Sequence, residues 1–492
     1  MLKQNGTFAA EISLCMDIET HLQKEPVFEV IGRVADTMGM EAYVVGGFVR
    51  DIFLGRASKD LDFVCVGSGI DLAQKVADAL EGKAHLSIFK NFGTAQVKWQ
   101  DYELEFVGAR KESYRADSRK PLVEDGTLQD DQNRRDFTIN AMAICLNSGR
   151  FGELVDPFGG REDLKKKIIR TPLDPDITFS DDPLRIMRAV RFASQLGFDI
   201  SPETMEGITR NAHRMEIVSM ERTIDELNKI ILSKPPSYGF QLLFHSGVLK
   251  VIFPEMTDLY GVEVVNGKAH KDNFYHTLKV LDNVSLVTDN LWLRWAAIMH
   301  DIAKPATKRF SEKVGWTFHG HEDRGARMVP KIFRRMRLPL DGKMKYVQKL
   351  VKLHLRPIAL VKREVTDSAV RRLLFEAGDD VEDLMKLCKA DITSKDHNRV
   401  QRYLTNFALV EQKMTEVEEK DHVRNFQPPV SGEMIMEVFG IPPSRPVGEI
   451  KEVIKEAIME GEIRNEFEAA YQLMLKHGSK LGLTPVKEMQ KP

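Results

Sequence analysis

The sequence predicts an α+β protein, with an N-terminal mixed α/β head followed by an elongated all-α body. Three observations carry this. Over the first third, short apolar runs bounded by glycines alternate with segments of helical spacing. Beyond Pro172 almost every segment has helical periodicity, punctuated by Pro235-Pro236, Pro254, the polar stretch Asn266 to Asn273 and Gln427-Pro428-Pro429. The chain has 492 residues, 42% apolar and 29% charged, which fits folded protein and excludes a largely disordered one. That length corresponds to three domains at roughly 150 residues each.

The head elements follow in order. Tyr43 to Val45 is a short strand ending in Gly46-Gly47, and Leu61 to Val66 is a second, closed by Gly67 and Gly69. Ile70 to Leu80 is helical by spacing, and Ala95 to Trp99 with Tyr102 to Val107 forms a strand pair turned at Gln100-Asp101. From Arg115 to Asp131 the apolar pattern lapses, which reads as a long mobile loop. Boundaries near 172, 266 and 402 give a leader (1–24), a head (25–172), a helical neck (173–265), a second helical domain (266–401) and a helical tail (402–492).

Composition bounds the function. Lys plus Arg number 71 against 73 Asp plus Glu, a net charge of −2, so the chain is no uniformly basic nucleic-acid binder. One basic stretch stands out: Lys331 to Arg356 holds nine Lys or Arg and one Asp, either a solvated helical face or an RNA surface. No apolar run nears the roughly 18 residues of a membrane span, and the start lacks a basic flank before an apolar core, so a cytoplasmic protein is expected. Four cysteines lie far apart without CxxC spacing, which favours neither disulfides nor a thiolate zinc site.

Several motifs carry chemistry. GGFVRD (Gly46 to Asp51) sits between a strand and a helix, where paired glycines let backbone N–H groups approach a phosphate chain; alone, such a pair is most often a turn. Asp60 and Asp62 in KDLDF are two apart on a strand, so both carboxylates leave one face, an arrangement that is costly unless a cation lies between them. Magnesium is commonly held by such carboxylates together with substrate phosphates. Glu105, on the neighbouring strand, is a candidate third oxygen ligand.

In RRDFTINAMAI, Asp136 and Asn140 are four apart on an expected helix, either binding ribose hydroxyls or serving as a cap and a buried amide. DPFGGREDL adds a second double-glycine turn. In SDDPLRIMRAVRFASQLGF, Ser180 or Asp181 is the expected helix cap and Gly197 the terminator. Asp182 and Arg185, three apart, form either a surface ion pair or an edge of acceptor beside donor. Such an edge matches adenine and cytosine and leaves unpaired groups against guanine and uracil. Further on, His276, His300-Asp301 and Asp391 give an H…HD…D order on helices, with His319, His321 and His354 as further candidates, a pattern suited to a metal cage.

The ordered motifs GGFVRD, KDLDF, RRDFTINAMA, DPFGGREDL and DDPLRIMRAVRF resemble those of the class II tRNA nucleotidyltransferases, the CCA-adding enzymes of the polymerase β superfamily, over about residues 25 to 260. The resemblance implies template-independent addition of CCA to tRNA from CTP and ATP, two Mg²⁺ ions on Asp60 and Asp62, and an assisting carboxylate at Glu105. It assigns the triphosphate to Gly46, Gly47 and Arg50, ribose to Asp136 and Asn140, base reading to Asp182 and Arg185, and a basic continuation to Arg188 and Arg191. Asp181 departs from the family's usual Glu, and the segment from Arg110 to Gly126 is intact, unlike the shortened loop of CC-only relatives. No GRRF-like element of bacterial poly(A) polymerases occurs near Ser87 to Gly93.

The histidine-rich region resembles the HD phosphohydrolases. That resemblance implies a divalent metal of unspecified identity on His276, His300, Asp301 and Asp391, Lys304 near a phosphate, and hydrolysis at RNA ends. The tail from Val430 resembles a small helical module found in such enzymes, with its GxxPG turn altered to GIPPSRPVG. Alternative readings are a poly(A) polymerase, a partial CC-adding or A-adding enzyme, and an HD phosphohydrolase with an RNA-binding head. No membrane and no obligatory protein partner is implied.

Overall fold

A computed structural model of the chain describes residues 18–80, 82–115, 118–361, 366–394, 396–421 and 429–488. Most of the expected leader (1–24) lies outside these residues. The chain forms two compact units, one of residues up to Ser233 plus Tyr238–Pro254 and the other of Lys234–Ser237 plus Glu255 onward.

In the first unit, helix α1 (Pro26–Met38) begins on a proline, stops at Gly39 with φ 67°, and buries Val27, Phe28, Ile31 and Ala35. Strand β1 (Ala42–Val45) leads through Gly46 into α2 (Gly47–Phe53), then β2 (Asp60–Cys65) and α3 (Gly69–Ala79), whose Ser68 cap accepts from the Asp71 N–H. Strands β3 (His85–Phe89), β4 (Thr94–Trp99) and β5 (Tyr102–Gly108) follow, and Gln100 takes φ 51° in the tight turn between the last two. The expected strand pair is therefore present.

The expected loop from Arg115 to Asp131 is a correction. Strand β6 (Arg110–Arg115) pairs antiparallel with β7 (Ser118–Asp125), and α4 (Leu128–Asn133) follows, capped by Thr127 and Asp130 in a reciprocal box. The pair forms a two-stranded ribbon separate from the main sheet, outside the alternating apolar pattern that marks the strands of that sheet. With β8 (Ala143–Cys145) and β9 (Leu154–Val155), the main sheet runs β3-β4-β5-β2-β1-β8-β9. Only the β2–β5 pair is parallel among these neighbours; the rest are antiparallel. Leu61 and Phe63 of β2 are buried, with Phe63 stacked 5.0 Å from Phe106, and this fixes the strand so that Asp60 and Asp62 leave by the opposite, exposed face.

Helix α5 (Gly160–Lys166) follows the second double-glycine turn, where the Asp156 carboxylate accepts from the Gly160 and Arg161 N–H groups. A Cβ on Gly160 would lie 2.3 Å from the Thr138 carbonyl oxygen, so this turn serves close packing. Helices α6 (Pro175–Asp181), α7 (Leu184–Leu196) and α8 (Met220–Ile231) then form the helical continuation. The expected cap at Ser180 or Asp181 is corrected: those residues end α6, and α7 starts after Pro183, with the Asp182 carboxylate accepting from Leu184 N–H. Proline cannot donate the hydrogen bond that would join the two helices. Gly197 ends α7 with φ 69°, as expected.

In the second unit, α9 (Asn273–Val287) is capped by Asp272 and α10 (Leu291–Met299) by Asn290. Helices α11 (His321–Arg335), α12 (Gly342–Leu353), α13 (Val381–Ala390) and α14 (His397–Asp421) follow. The sequence boundary expected near 402 falls inside α14, and that near 266 lies beyond the division of the two units at 254. Helices α15 (Gly432–Phe439), α16 (Arg445–Glu460) and α17 (Phe467–Lys480) share a core of Ile435, Val438, Ile450, Ile454 and Met474. Among the described residues no helix is long and apolar enough to cross a membrane.

Candidate functional sites

The first candidate site is assembled by strand register. In the parallel β2–β5 pair, Asp60 lies opposite Glu103 and Asp62 opposite Glu105; across β1, Val45 pairs with Asp62. The chain then turns at Gly46, whose φ of 75° and ψ of −135° suit glycine alone, and enters α2. A Cβ at Gly46 would stand 3.1 Å from Asp62 Oδ2 and 3.4 Å from an Arg135 nitrogen. The glycine turn and the acidic strand are therefore within contact of each other.

Although the Asp62 side chain reaches the open face of the strand, the surrounding protein crowds out water and pushes its carboxyl above the usual range; Arg135 opposes this and Asp60 adds to it. Glu105 is also raised, by burial and then by Asp62, against the pull of Arg110. A run of acids in which Asp60 raises Asp62 and Asp62 raises Glu105 is a chemistry whose repulsion a hard divalent cation can remove.

Around these acids runs a lattice of arginines. Arg50 donates to Asn140 Oδ1 at 3.0 Å and to Asp51. Asn140 donates to Asp136 Oδ1 at 3.1 Å, and Arg188 Nε donates to Asp136 Oδ2 at 2.7 Å. Asp136 and Asn140 face each other as expected, but through a 3₁₀ turn (Thr138–Asn140) preceded by extended Phe137 rather than on one α-helix. Both are buried. Burial would raise the Asp136 carboxyl, yet Arg188 and Asn140 hold it below the usual range.

Arg185 is buried, its guanidinium donating to the carbonyls of Thr178 (3.3 Å) and Arg134 (2.6 Å). Asp182 lies 3.7 Å from Arg222. The Asp182 carboxylate is held by the Leu184 N–H and faces Arg222, and the Arg185 guanidinium is engaged by backbone carbonyls. Arg191 Nε lies 3.0 Å from the buried Glu226, and the guanidiniums of Arg50, Arg188 and Arg191 all lie over the Phe192 ring, at 5.2, 5.4 and 4.2 Å.

Sequence reasoning missed Arg135 and Asp131. Asp131 is fully buried, and Arg135 Nε donates to it at 3.0 Å while reaching toward Gly46 and Asp62. The signal was the acid three residues before an Arg-Arg pair, hidden in a segment read as loop.

The second candidate site lies in the second unit. His276 leaves α9, His300 and Asp301 follow α10, and Asp391 follows α13. His276 Nε2 is 2.9 Å from Asp391 Oδ1 and 3.5 Å from Asp301 Oδ2; His300 Nε2 is 3.2 Å from Asp301 Oδ2 and 3.8 Å from Asp391 Oδ1. All four expected residues therefore converge. His300 Nε2 is buried without a well-directed hydrogen bond, while its Nδ1 is 2.7 Å from the Ala297 carbonyl. An imidazole oriented by a carbonyl, with its other nitrogen aimed at carboxylates, has the form of a metal ligand, so these residues fit the implied cation. Lys304 donates to Asp301 Oδ2 at 2.6 Å. His321 and His354, only further candidates in the sequence, adjoin Asp301 as well, whereas His319 belongs to neither of the two His/Asp groups found there.

A parallel-paired acidic strand beside a double-glycine turn, joined to an arginine-rich helical continuation, defines a nucleotidyltransferase head. The Poly A polymerase head domain family matches residues 42–170, the family described as "Probable RNA and SrmB- binding site of polymerase A" matches 197–260, and the HD domain family matches 273–391. An A-adding tRNA nucleotidyltransferase of Deinococcus radiodurans is 30% identical over 439 residues, covering 87% of this chain and 94% of that protein. The Multifunctional CCA protein of Shewanella frigidimarina is 35% identical over 308 residues, 61% of this chain and 70% of that one. A tRNA nucleotidyltransferase solved with a primer tRNA and an incoming ATP analog superposes with a TM-score of 0.56 at 25% identity, over 79% of this chain and 99% of that chain. The chain belongs to the tRNA nucleotidyltransferase family and carries an HD domain.

Proposed function

We propose that the head adds C, C and A to tRNA 3′ ends from CTP and ATP without a nucleic-acid template. The observation that carries this is the Asp62–Glu105 register beside the Gly46 turn. Asp60 and Asp62 hold two Mg²⁺ ions, with Glu105 assisting from the adjacent strand. Bound there, such ions polarise the attacking and leaving oxygens.

The protein's own groups do the positioning, which dominates phosphoryl transfer. Backbone N–H groups of Gly46 and Gly47 and the Arg50 guanidinium receive the triphosphate, and Asp136 with Asn140 meets the ribose. Asp182 and Arg185 read the base, and Arg188 and Arg191 continue the basic wall. Arg50, bonded to Asn140, ties the triphosphate end of this arrangement to the ribose end.

Eight of the nine cations between Lys331 and Arg356 are exposed, and we assign this surface to the tRNA backbone. The HD site, with a divalent metal, hydrolyses phosphate at RNA ends. Cys65, Cys145 and Cys388 are free and buried, which supports a cytoplasmic setting.

A second reading, addition of the terminal A alone, is favoured by the Deinococcus relative. Incubation with labelled CTP and ATP separates the readings. Full CCA addition extends both a tRNA lacking its end and one ending in CC; an A-adding enzyme extends only the latter, and repeated A addition marks a poly(A) polymerase. No extension of either tRNA refutes the transferase reading.

A further inference from the structure

We propose that the outer half of the head sheet is a stacking subsite for the 3′-terminal base of the acceptor RNA, with Phe89 and Phe92 as its aromatic surface. This rests on the reading of Asp60 and Asp62 as the reacting centre and extends it to the RNA end that has to reach them.

Strand register places the subsite. From the acidic strand the ladder runs outward across three neighbours: Asp62 lies opposite Glu105, Glu105 opposite Gln96, and Gln96 opposite Ser87. Residues paired directly share a face, so these four line one strip that begins at the acids. Ala95, Val97 and Trp99 of β4 are buried on the other face, which leaves Thr94, Gln96 and Lys98 on the open one. One pair further along, Phe89 lies opposite Thr94, two residues from Ser87 and therefore on the same side. Three strand spacings, roughly 14 Å, separate β3 from β2.

Two exposed rings end this strip. Phe89 is 45% exposed, and Phe92, in the 3₁₀ turn Lys90–Phe92, is 71% exposed. Neither ring is taken into the core. The turn is tied back to the acids by one cation: Arg110 Nη1 donates to the Phe92 carbonyl at 3.3 Å, and the charge of the same side chain reaches the Glu105 carboxyl.

The occupant is a single-stranded RNA end. It presents its 3′ hydroxyl beside Asp60 and Asp62, so its last bases lie on a surface continuous with the strip. Exposed aromatic rings stack on unpaired bases, and the exposed Lys90 beside them matches backbone phosphates. Stacking requires no particular base, because every base has a π-face. That suits a subsite whose occupant changes at each addition, from the tRNA's own last base to one C and then two; hydrogen bonds built for one of these would reject the next.

The test uses the full-length chain and a tRNA that lacks CCA and ends in 2-aminopurine, a base whose fluorescence falls when it stacks. Quenching on binding is read beside the kinetics of CMP incorporation. The parent should quench the probe. Phe92→Ala, alone and with Phe89→Ala, should lose most of the quenching and raise KM for tRNA about tenfold, with KM for CTP and the melting temperature unchanged. Phe92→Trp should keep both quenching and KM, whereas Phe92→Leu, apolar but without a π-face, should behave as the alanine variant. Quenching and KM that survive in the double variant, or a parent that incorporates CMP without quenching, overturn the subsite and keep the transferase reading. A parent that incorporates no CMP overturns both.

Discussion

Asp62 on β2 lies directly across the parallel ladder from Glu105 on β5; burial raises the pKa of both, Asp60 adds to the rise at Asp62, and Asp62 adds to the rise at Glu105. Neither acid gains from this in the absence of a cation. On the proposed role of this pair in holding Mg²⁺, Glu105→Gln should weaken Mg²⁺ dependence while sparing tRNA binding. An unchanged magnesium titration of CMP incorporation would remove Glu105 from the site.

Gly46→Ala should impair both fold and nucleotide binding. The φ of 75° costs an alanine roughly 1–3 kcal/mol, and the added Cβ presses on Asp62 at 3.1 Å. A lowered melting temperature with a raised KM for CTP and ATP is expected; a melting temperature equal to that of the parent would contradict the strain.

The Asp136–Arg188 pair predicts acid lability with a definite sign. Asp136 is held below its unfolded value, so its contribution is present above about pH 4 and is lost as the pH falls through the folded value. Asp131 behaves likewise: burial opposes ionisation, but Arg135 and Arg134 lower its pKa. Arg188→Ala should cost about 2 kcal/mol, less than for a fully buried pair because the Arg188 side chain keeps 35% exposure. It should also move the acid unfolding midpoint to higher pH. Melting curves against pH check both.

Arg185→Ala should loosen nucleotide choice more than it weakens tRNA binding, because its guanidinium is fixed by the Thr178 and Arg134 carbonyls. A competition among the four nucleoside triphosphates measures this, and unchanged selectivity would contradict the base-reading role.

Neutralising three exposed cations, Lys331, Lys345 and Lys352, should reduce the slope of log affinity for tRNA against log salt by roughly 2, at about 0.7–0.9 per phosphate contact. An unchanged slope would return the stretch to a solvated helical face.

What the sequence revealed was local. The strand, double glycine, helix and acidic strand from Ala42 to Cys65 are specified by neighbouring residues, and the two-residue repeat put Asp60 and Asp62 on one face without knowledge of the sheet. Glu105 was found because β5 carries the same alternation. The ribbon of β6 and β7 escaped because it pairs only with itself, apart from the main sheet, and its charged sequence lacks the alternation by which the other strands were read. Arg135 and Asp131 escaped because their role depends on Gly46 and Asp62, far away in the chain. His321 and His354, separated by 33 positions, are brought together by the packing of α11 on α12. The break at Pro183 shifted a helix start but left Asp182 and Arg185 in place.

The most direct test of the head is magnesium-dependent incorporation of labelled CMP and AMP into tRNA by the parent chain and by the Asp60→Ala, Asp62→Ala variant, with circular dichroism as the folding control. The account predicts incorporation by the parent and a loss of at least about 10³-fold in the variant, the scale of several kcal/mol of charge stabilisation, with the helical signal unchanged. A folded variant that still incorporates nucleotides at the parent rate would contradict it.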